Sequence, residues 1–363
     1  MPTPIDRAAY AAATGLRVGW FFGQYVLASR LSRRSFPKPE SAARTPSSQE
    51  LLGELYRLFA RDWQAIADGL YRPARLVERP DRAIAAARAY FADLPSVNRR
   101  RAARGNAEVF RSPPPDAPKG LPRYYRQNFH YQTGGYLTAD SARLYDHQVE
   151  VLFGGGADAM RRRALPFLRA HLQRLGRQAR HARLLDVACG TGRFLDEVRS
   201  NHPSLDLTGI DLSGAYLAEA RRRGAGAGRI GATRFAQANA EALPLADASV
   251  DAVTCIYLFH ELPRRVRATV AAEIARVLRP GGRLVFVDSL QHGEHPPFDG
   301  VLEYFPQGFH EPYYADYIRQ DLAALFRGVG LEPAGRERAF LSTVAAFDKP
   351  GQAPSGSNRP RLA

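Results

Sequence analysis

The sequence predicts an α/β fold in which a doubly wound, mostly parallel β-sheet follows a helical N-terminal extension. From about residue 182 onwards, short apolar segments alternate with amphipathic helical segments. Most of the apolar segments contain few polar residues, which is typical of parallel strands that helices cover on both faces. Alternating strands and helices imply right-handed crossovers, and these crossovers generate a doubly wound sheet.

Five apolar segments are predicted as strands of this sheet. In chain order they are residues 184–188, 205–211, 233–238, 250–257 and 283–289. The best-defined helix between them spans residues 263–278, where Val266, Val270 and Ile274 share one face. The sequence Pro280-Gly281-Gly282 follows this helix and predicts its end.

The composition is that of an ordinary globular protein and excludes a wholly disordered, collagen-like or coiled-coil chain. Of 363 residues, 45% are hydrophobic and 24% are charged, and the formal net charge is +15. Only three of the 51 basic residues are lysines, which fits GC-rich coding, so the charge itself does not indicate nucleic-acid binding. Nucleic acid is not predicted as a partner, since the sequence has no basic platform studded with aromatic residues. Cys189 and Cys255 are the two cysteines, too few for a disulfide scaffold, and they suit the reducing cytoplasm.

The N-terminal extension contains an apolar segment, residues 8–28, that approaches the length of a bilayer span. Its charged residue, Arg17, would cost about 2.5–3.5 kcal/mol at the centre of a membrane. Three interpretations remain open: a helix packed on the protein, an interfacial anchor and a true span. We favour the packed helix, and we predict a cytoplasmic protein in which residues 8–28 are the candidate site of peripheral membrane contact.

The distribution of proline, aromatic and apolar residues divides the chain into four parts. Leu55, Leu58 and Phe59 mark a helical stripe in the first part, and five prolines within residues 111–122 end it. The predicted parts are a helical N-terminal extension with linkers (1–122), an aromatic-rich lead-in and helix that caps the substrate (123–181), an α/β core with a lid insertion at 291–318 (182–349), and a disordered tail (350–363).

The first chemical motif is the glycine-rich turn that follows the first predicted strand. Gly190 and Gly192 allow a ligand to approach the backbone, and the helix that begins there favours negative charge. A dinucleotide site requires a third glycine where this chain has Leu195, which argues against a nicotinamide enzyme. Asp186, at the end of the strand, suits a cationic ligand better than a pyrophosphate.

Polar residues also follow the next two predicted strands. The carboxylate of Asp211 can accept hydrogen bonds from both hydroxyl groups of a ribose. The side-chain amide of Asn239 can bind the edge of an adenine. The alternatives are structural: Asp186 caps the glycine-rich turn, and Asp211 caps the helix that follows it.

Together with the segments at 251–263 and 273–282, these motifs resemble the class I S-adenosylmethionine-dependent methyltransferases. The similarity is greatest to the small-molecule branch around the ubiquinone and menaquinone biosynthesis methyltransferases. It covers about residues 182–349, with the motifs in the expected order. The resemblance implies S-adenosylmethionine as cofactor and a Rossmann-like sheet of seven strands, the last two near 332–338 and 341–347.

The resemblance also implies which residues bind the cofactor. The methionine part would lie against the glycine-rich turn, the ribose on Asp211 and the adenine beneath Leu212, with its edge on Asn239. The complete implied set is Asp186, Ala188, Gly190, Gly192, Asp211, Leu212, Asn239, Ala240 and Tyr257.

His260, just beyond the fourth predicted strand, is the candidate catalytic residue. In the family that this chain resembles, the end of this strand faces the methyl group, and an imidazole can remove a proton from an oxygen or nitrogen acceptor. The alternative is that His260 only stabilises the turn that follows. The sequence has no Asn/Asp-Pro-Pro-Tyr motif here, which disfavours methylation of amino groups in adenine or glutamine, and no Pro-Cys motif, which disfavours methylation of cytosine C5.

The segment 291–318 is long and aromatic, which predicts a lid over the substrate. Its aromatic residues and those of the lead-in either line an apolar pocket or pack the N-terminal extension onto the core. The candidate pocket residues are Tyr131, Tyr136, Phe259, His310, Tyr313 and Tyr314. His292, Glu294 and His295 resemble metal ligands, but no supporting ligand is evident elsewhere in the sequence, and we predict no metal site.

We therefore predict an enzyme that transfers a methyl group from S-adenosylmethionine to a small-molecule or lipid-like acceptor. Two alternatives remain. A catalytically silent, cofactor-binding scaffold would transfer no methyl group, and an RNA methyltransferase would bind RNA in a salt-dependent manner.

Overall fold

Seven strands form one sheet at the centre of the computed structural model, which describes residues 3–37, 44–72, 80–103, 120–225 and 233–351. Nearly all of the predicted tail at 350–363, most of the proline-rich segment at 111–122, and residues 38–43 and 73–79 of the N-terminal extension lie outside the described residues. The strands are β1 (Arg183–Val187), β2 (Asp206–Asp211), β3 (Arg234–Gln237), β4 (Val250–Ile256), β5 (Leu278–Ser289), β6 (Glu332–Ala339) and β7 (Ser342–Asp348).

The strand order is β3-β2-β1-β4-β5-β7-β6, and β7 is antiparallel to both of its neighbours. The prediction of a doubly wound, mostly parallel sheet is therefore confirmed, and so is the number of strands. Several strand boundaries differ from the predicted ones by one residue, and the largest difference is that β5 begins at Leu278 rather than at Arg283. Leu278 pairs with Val250 before an irregularity, and regular pairing resumes where Arg283 lies opposite Ala252.

Twelve α-helices are present among the described residues. They are α1 (Pro4–Ser32), α2 (Ser48–Ala67), α3 (Pro80–Ala103), α4 (Ala139–Leu152), α5 (Ala157–Arg162), α6 (Ala164–Leu175), α7 (Arg193–Asn201), α8 (Gly214–Ala225), α9 (Arg264–Val277), α10 (Asp299–Gly308), α11 (Tyr314–Tyr317) and α12 (Leu322–Arg327). Both α1 and α2 begin with a capping box, formed by Thr3 with Asp6 and by Ser47 with Glu50. The helical N-terminal extension is thus specified locally as well as by its apolar stripes.

Helix α1 packs on the protein, and Arg17, the charged residue within its apolar segment, lies in the contact. Arg17 is buried, its Nε donates to the carbonyl of Gly155 at 2.7 Å, and its guanidinium lies 2.6 Å from Glu150 and 3.2 Å from Asp158. These partners offset the cost of burying the guanidinium. No described helix is both long and apolar enough to cross a membrane.

A second buried ion pair joins α2 to α5. Both Asp62 and Arg162 are almost completely buried, and two nitrogens of Arg162 donate to the two carboxylate oxygens of Asp62 at 2.9 and 2.7 Å. Tyr10 of α1 and Tyr71 also donate to the Asp62 carboxylate, at 2.6 and 2.7 Å. The N-terminal extension is therefore attached to the core by paired buried charges as well as by apolar contacts.

Candidate active site

Two adjoining cavities lie beside the carboxyl ends of β1, β2 and β4. The smaller one, about 100 Å³, is lined by the turn after β1, the ends of β2 and β4, and aromatic residues of the lead-in; we call it the cofactor cleft. The larger one, about 220 Å³, lies between the N-terminal helices and the lid; we call it the acceptor cavity. Tyr145, Tyr257 and Glu261 line both, so they mark the junction.

The cofactor cleft contains most of the residues that the resemblance implies. The predicted residues that line it are Ala188, Gly190, Asp211, Leu212, Asn239, Ala240 and Tyr257. Ala188 and Tyr257 both have positive φ angles, of 58° and 57°, a conformation that is strained for residues with a side chain. Two strained residues in one cleft indicate that the surrounding structure holds these strand ends in place.

Asp211 is oriented by backbone amides at the rim of the cleft. Its two carboxylate oxygens accept hydrogen bonds from Gly190 at 2.8 Å and from Ser213 at 2.7 Å. Burial raises the pKa of Asp211 to about 6, although the backbone hydrogen bonds lower it. Each oxygen accepts one backbone hydrogen bond and can accept another, so the carboxylate can bind two vicinal hydroxyl groups.

Two predicted cofactor residues do not line the cleft. Asp186 is buried beneath it and accepts a hydrogen bond from Thr254 at 2.5 Å, and burial raises its pKa to about 7. Gly192 has a left-handed conformation at the start of α7, where an added Cβ would lie 3.1 Å from Ala220 and 3.2 Å from Phe235. In this structure Gly192 permits close packing of the helix on the sheet, and Asp186 links β1 to Thr254 of β4.

A polar network that the sequence analysis missed closes the far end of the cleft. Asn239 accepts a hydrogen bond from the amide of Glu241 at 3.0 Å and donates to its carboxylate at 3.1 Å. The same carboxylate accepts a hydrogen bond from Tyr124 at 2.6 Å. The lead-in thus contacts the cleft directly, and a glutamate two residues after Asn239 was the available signal.

The residues present fit the S-adenosylmethionine that the resemblance implies. An added Cβ at Gly190 would meet no other group within 4 Å, so space is open above the turn. Asp211 presents its carboxylate to the cleft, and Leu212, Ala238 and Ile210 supply an apolar wall. A vicinal diol and a planar aromatic base are the groups that such a wall and carboxylate would bind.

The acceptor cavity is mostly apolar, and its polar groups are concentrated at one end. Its apolar lining includes Phe22 and Tyr25 of α1, Leu51, Leu52 and Leu55 of α2, and Phe305 and Phe309 of the lid. At the junction with the cofactor cleft the lining is formed by His130, His260, Glu261, Ser289 and Tyr314. This distribution suits a molecule with a polar head and an apolar body.

The cavity continues between α1, α3 and α4. A third cavity of about 100 Å³ shares Tyr25, Phe36 and Leu152 with the acceptor cavity and extends towards Tyr90 and Leu94 of α3. The contribution of the N-terminal helices to these walls was not predicted. The apolar stripe of α2 could have indicated it, because Leu51 and Leu52 are only half-buried although they belong to that stripe.

His260 lies at the polar end of the acceptor cavity and is held by a carboxylate. Its Nδ1 is 2.5 Å from Oδ1 of Asp288, a fully buried residue whose other oxygen accepts a hydrogen bond from the amide of Phe259 at 2.8 Å. Burial lowers the pKa of His260, but the carboxylates of Asp288, Glu261 and Glu311 outweigh this effect and raise it to about 9. Asp288 was missed, although it is the acidic residue in the otherwise apolar stretch at 284–288.

Two of the six predicted pocket residues line one of the two cavities, and the other four do not. Tyr136 lines the cofactor cleft and donates to Glu261, and Tyr314 lines the acceptor cavity with its hydroxyl 2.5 Å from that of Ser289. Phe259 lies in the core instead, against Phe286. The remaining residues, Tyr131, His310 and Tyr313, pack the lead-in against the lid outside both cavities.

The three residues weighed as metal ligands in the lid do not converge. His292 faces Glu303 at 3.2 Å, the carboxylate of Glu294 contacts Arg336 and Thr343, and the ring of His295 packs on Phe298. Each side chain therefore stabilises a different contact of the lid.

Comparison with known proteins gives consistent matches over the α/β core. Residues 184–282 match a family model described as a methyltransferase domain. A ubiquinone/menaquinone biosynthesis C-methyltransferase from Methylobacterium nodulans is 36% identical over 213 residues, which cover 58% of this chain and 75% of that protein. A demethylmenaquinone methyltransferase from Deinococcus radiodurans is 34% identical over 214 residues, 59% of this chain and 78% of that protein. The solved structure of a SAM-dependent methyltransferase from Methanosarcina mazei aligns with a TM-score of 0.42 and 18% identity over 52% of this chain and 98% of that one.

Proposed function

The chain belongs to the class I S-adenosylmethionine-dependent methyltransferases, near their ubiquinone and menaquinone branch, and we propose that its acceptor is an amphiphile with a compact polar head and an extended apolar body. Methyl transfer from S-adenosylmethionine to a small-molecule acceptor follows from the family. The proposal adds the shape and polarity of that acceptor. The observation that carries it is a mostly apolar cavity of about 220 Å³ whose polar end meets the cofactor cleft.

The polar end of the acceptor cavity brings candidate reactive groups next to the cleft in which we propose that the cofactor binds. When bound, the cofactor supplies a methyl group already activated on a sulfonium, so the protein mainly has to align the acceptor and exclude water. Asp211, Leu212, Asn239 and Ala240 are the residues that would hold the ribose and adenine. The aromatic residues around the junction limit the access of water to the reacting atoms.

His260 is the residue that we propose to accept a proton from the acceptor, and its neutral form is the one that can do so. Because neighbouring carboxylates raise the pKa of His260 to about 9, we expect the rate to rise as the pH increases towards 9. Asp288 bonds to Nδ1 of the ring, which leaves Nε2 as the nitrogen available for proton transfer. His260 also lines the acceptor cavity, whereas the buried Asp288 does not. Asp288 is accordingly a positioning residue that holds the ring in one orientation.

Labelled methyl transfer tests the class of acceptor. The full chain is incubated with methyl-labelled S-adenosylmethionine and a cell extract, and the products are separated into organic-soluble, aqueous and RNA fractions. We expect the label in the organic-soluble fraction, and much less label with Asp211→Ala at a cofactor concentration below the Kd of that variant. Label in water-soluble metabolites or RNA would contradict the amphiphilic acceptor, and cofactor binding without labelled product would favour a silent scaffold.

We further propose that α1 contacts an anionic membrane surface from which the acceptor enters. Leu16 and Leu31 are 69% and 61% exposed on α1, and Leu27 and Trp20 are exposed on the same helix. Arg30, Arg33 and Arg34 are exposed at its C-terminal end, and these positively charged side chains attract anionic lipid headgroups. Tyr25, in the same helix, is partly exposed and lines the acceptor cavity, so α1 borders both the solvent and that cavity.

A further inference from the structure

Three ligand-type side chains converge beside the junction of the two cavities. They are His130 of the lead-in, Glu261 after β4, and Glu311 of the lid, and each offers one ligand atom within 4.8 Å of the others. Nε2 of His130 lies 3.2 Å from Oε1 of Glu311. These residues are distinct from His292, Glu294 and His295, which the sequence suggested.

Glu311 is the unusual member of this cluster. Its side chain is completely buried, and neither carboxylate oxygen has a hydrogen-bond partner. The Nδ1 atom of His130 is also buried without a partner. Burying a polar group without a partner is costly, and burying a carboxylate in this way costs more than burying a neutral group.

The neighbouring groups do not compensate Glu311. Tyr136 donates to Glu261, and Nε2 of His260 lies 3.9 Å from Glu261, but His260 is already bonded to Asp288. Within the described ranges, no arginine or lysine forms an ion pair with Glu261 or Glu311. Among the described residues, Glu311 therefore has neither a hydrogen-bond partner nor an ion pair with an arginine or lysine.

We propose that His130, Glu261 and Glu311 bind a divalent first-row transition-metal cation such as Mn²⁺ or Zn²⁺. One imidazole and two carboxylates are ligands that these cations accept, and three protein ligands leave coordination positions open. His130 and Glu261 line the acceptor cavity while Glu311 lies behind them, so the open positions face the acceptor. If the proposed function holds, an oxygen atom of the acceptor's polar head is the ligand that these positions would take.

Metal binding is measured on the full chain without cofactor or acceptor, so the result does not depend on the proposed function. The protein is stripped with EDTA, passed over a desalting column and titrated with Mn²⁺ or Zn²⁺ by calorimetry, with metal content measured by plasma mass spectrometry. We expect one equivalent of bound metal and a higher thermal unfolding temperature. Glu311→Gln should weaken binding by at least about tenfold.

The control variant is His292→Ala, which removes a half-exposed histidine beside two carboxylates in the lid. It should bind metal like the wild type. If Glu311→Gln does not fold, the visible absorption spectrum of Co²⁺ added to the wild-type protein gives a second readout. Coordination of Co²⁺ by an imidazole and carboxylates shifts this spectrum from that of the aqueous ion. Failure of the wild type to bind any of the three metals, or equal binding by Glu311→Gln, would overturn the proposal.

Discussion

Nδ1 of His260 lies 2.5 Å from Oδ1 of Asp288, so a carboxylate near the end of β5 orients the imidazole that follows β4. Because β4 and β5 are adjacent parallel strands, their carboxyl ends meet at the same edge of the sheet. Because these two strands are neighbours, the candidate catalytic residue and the residue that positions it lie side by side.

Replacement of His260 tests its chemical role. We expect His260→Ala to lower kcat by roughly 10²–10⁴-fold, the usual contribution of a positioned general base, with the cofactor Kd nearly unchanged. Asp288→Asn should also lower kcat, by a smaller factor, because the ring remains but is less well oriented. His310→Ala is the control, since His310 lies outside both cavities and bonds to Gln127. A His260→Ala variant that keeps kcat within about threefold of the wild type would leave His260 with a structural role only.

Cofactor binding should depend on Asp211. Asp211→Ala removes a charged acceptor from the cofactor cleft, and we expect S-adenosylmethionine and its demethylated product to bind about 1.5–3 kcal/mol more weakly by calorimetry. The control is Asp206→Asn at the start of the same strand, where the side chain pairs with Arg234 on the surface. Equal affinity of Asp211→Ala and the wild type would show that Asp211 does not bind the ribose.

The pKa of Asp211 predicts how cofactor affinity depends on pH. Burial raises this pKa to about 6, and the carboxylate is the form that accepts hydrogen bonds from hydroxyl groups. Protonation as the pH falls through 6 should therefore weaken binding, by about tenfold between pH 7 and pH 5. The ionisable groups close enough to interact with Asp211 are Asp186, Cys189, Tyr125, Tyr145, Tyr216 and Glu261. Calorimetry of Asp211→Asn isolates the contribution of Asp211, because in this variant the cofactor Kd should no longer depend on pH. A wild-type Kd that is constant between pH 5 and pH 7 would contradict the prediction.

The buried pair of Asp62 and Arg162 should dominate the attachment of α2 to the core. Asp62→Asn removes the closest charged partner of the buried Arg162 guanidinium and leaves it Glu197 at 3.6 Å, so we expect a loss of about 3 kcal/mol in the free energy of unfolding. Urea denaturation measures this change. Arg222→Ala is the control, because Arg222 is an exposed residue paired with Glu219 and should change stability by less than about 0.5 kcal/mol. An Asp62→Asn variant as stable as the control would show that other contacts hold α2 in place.

If α1 contacts membranes, the protein should bind lipid vesicles. The full chain should sediment with vesicles that contain phosphatidylglycerol, should be released by high salt, and should bind vesicles of phosphatidylcholine more weakly. Replacing both Leu16 and Leu31 by serine should reduce binding by about tenfold, since it removes exposed apolar area without affecting the core. Ile84→Ser, at an exposed apolar residue of α3, is the matched control. Absence of wild-type binding, or release only by detergent, would contradict peripheral contact.

Much of the α/β core could be predicted because its signals are local. The apolar segments matched β1 to β4 with shifts of one residue at their ends, and β5 with a longer shift at its start. The residue types after β1, β2 and β3 indicated a cofactor site, and the structure forms a cleft at this position. Asp186 and Gly192 show the limit of this reasoning. Their residue types suggested ligand contacts, but packing against Thr254 and Phe235 places them behind the cleft.

The sequence by itself determined the sheet, the order of its motifs and the family, since strand periodicity and turn chemistry operate over a few residues. The tertiary structure alone decided which side chains meet. Phe259 and His260 are neighbours in one short turn, yet one packs in the core and the other lines the acceptor cavity. His130, Glu261 and Glu311 come from the lead-in, the core and the lid, and they converge only when these segments pack. Distances between such residues depend on the packing of whole elements, which no local sequence pattern specifies.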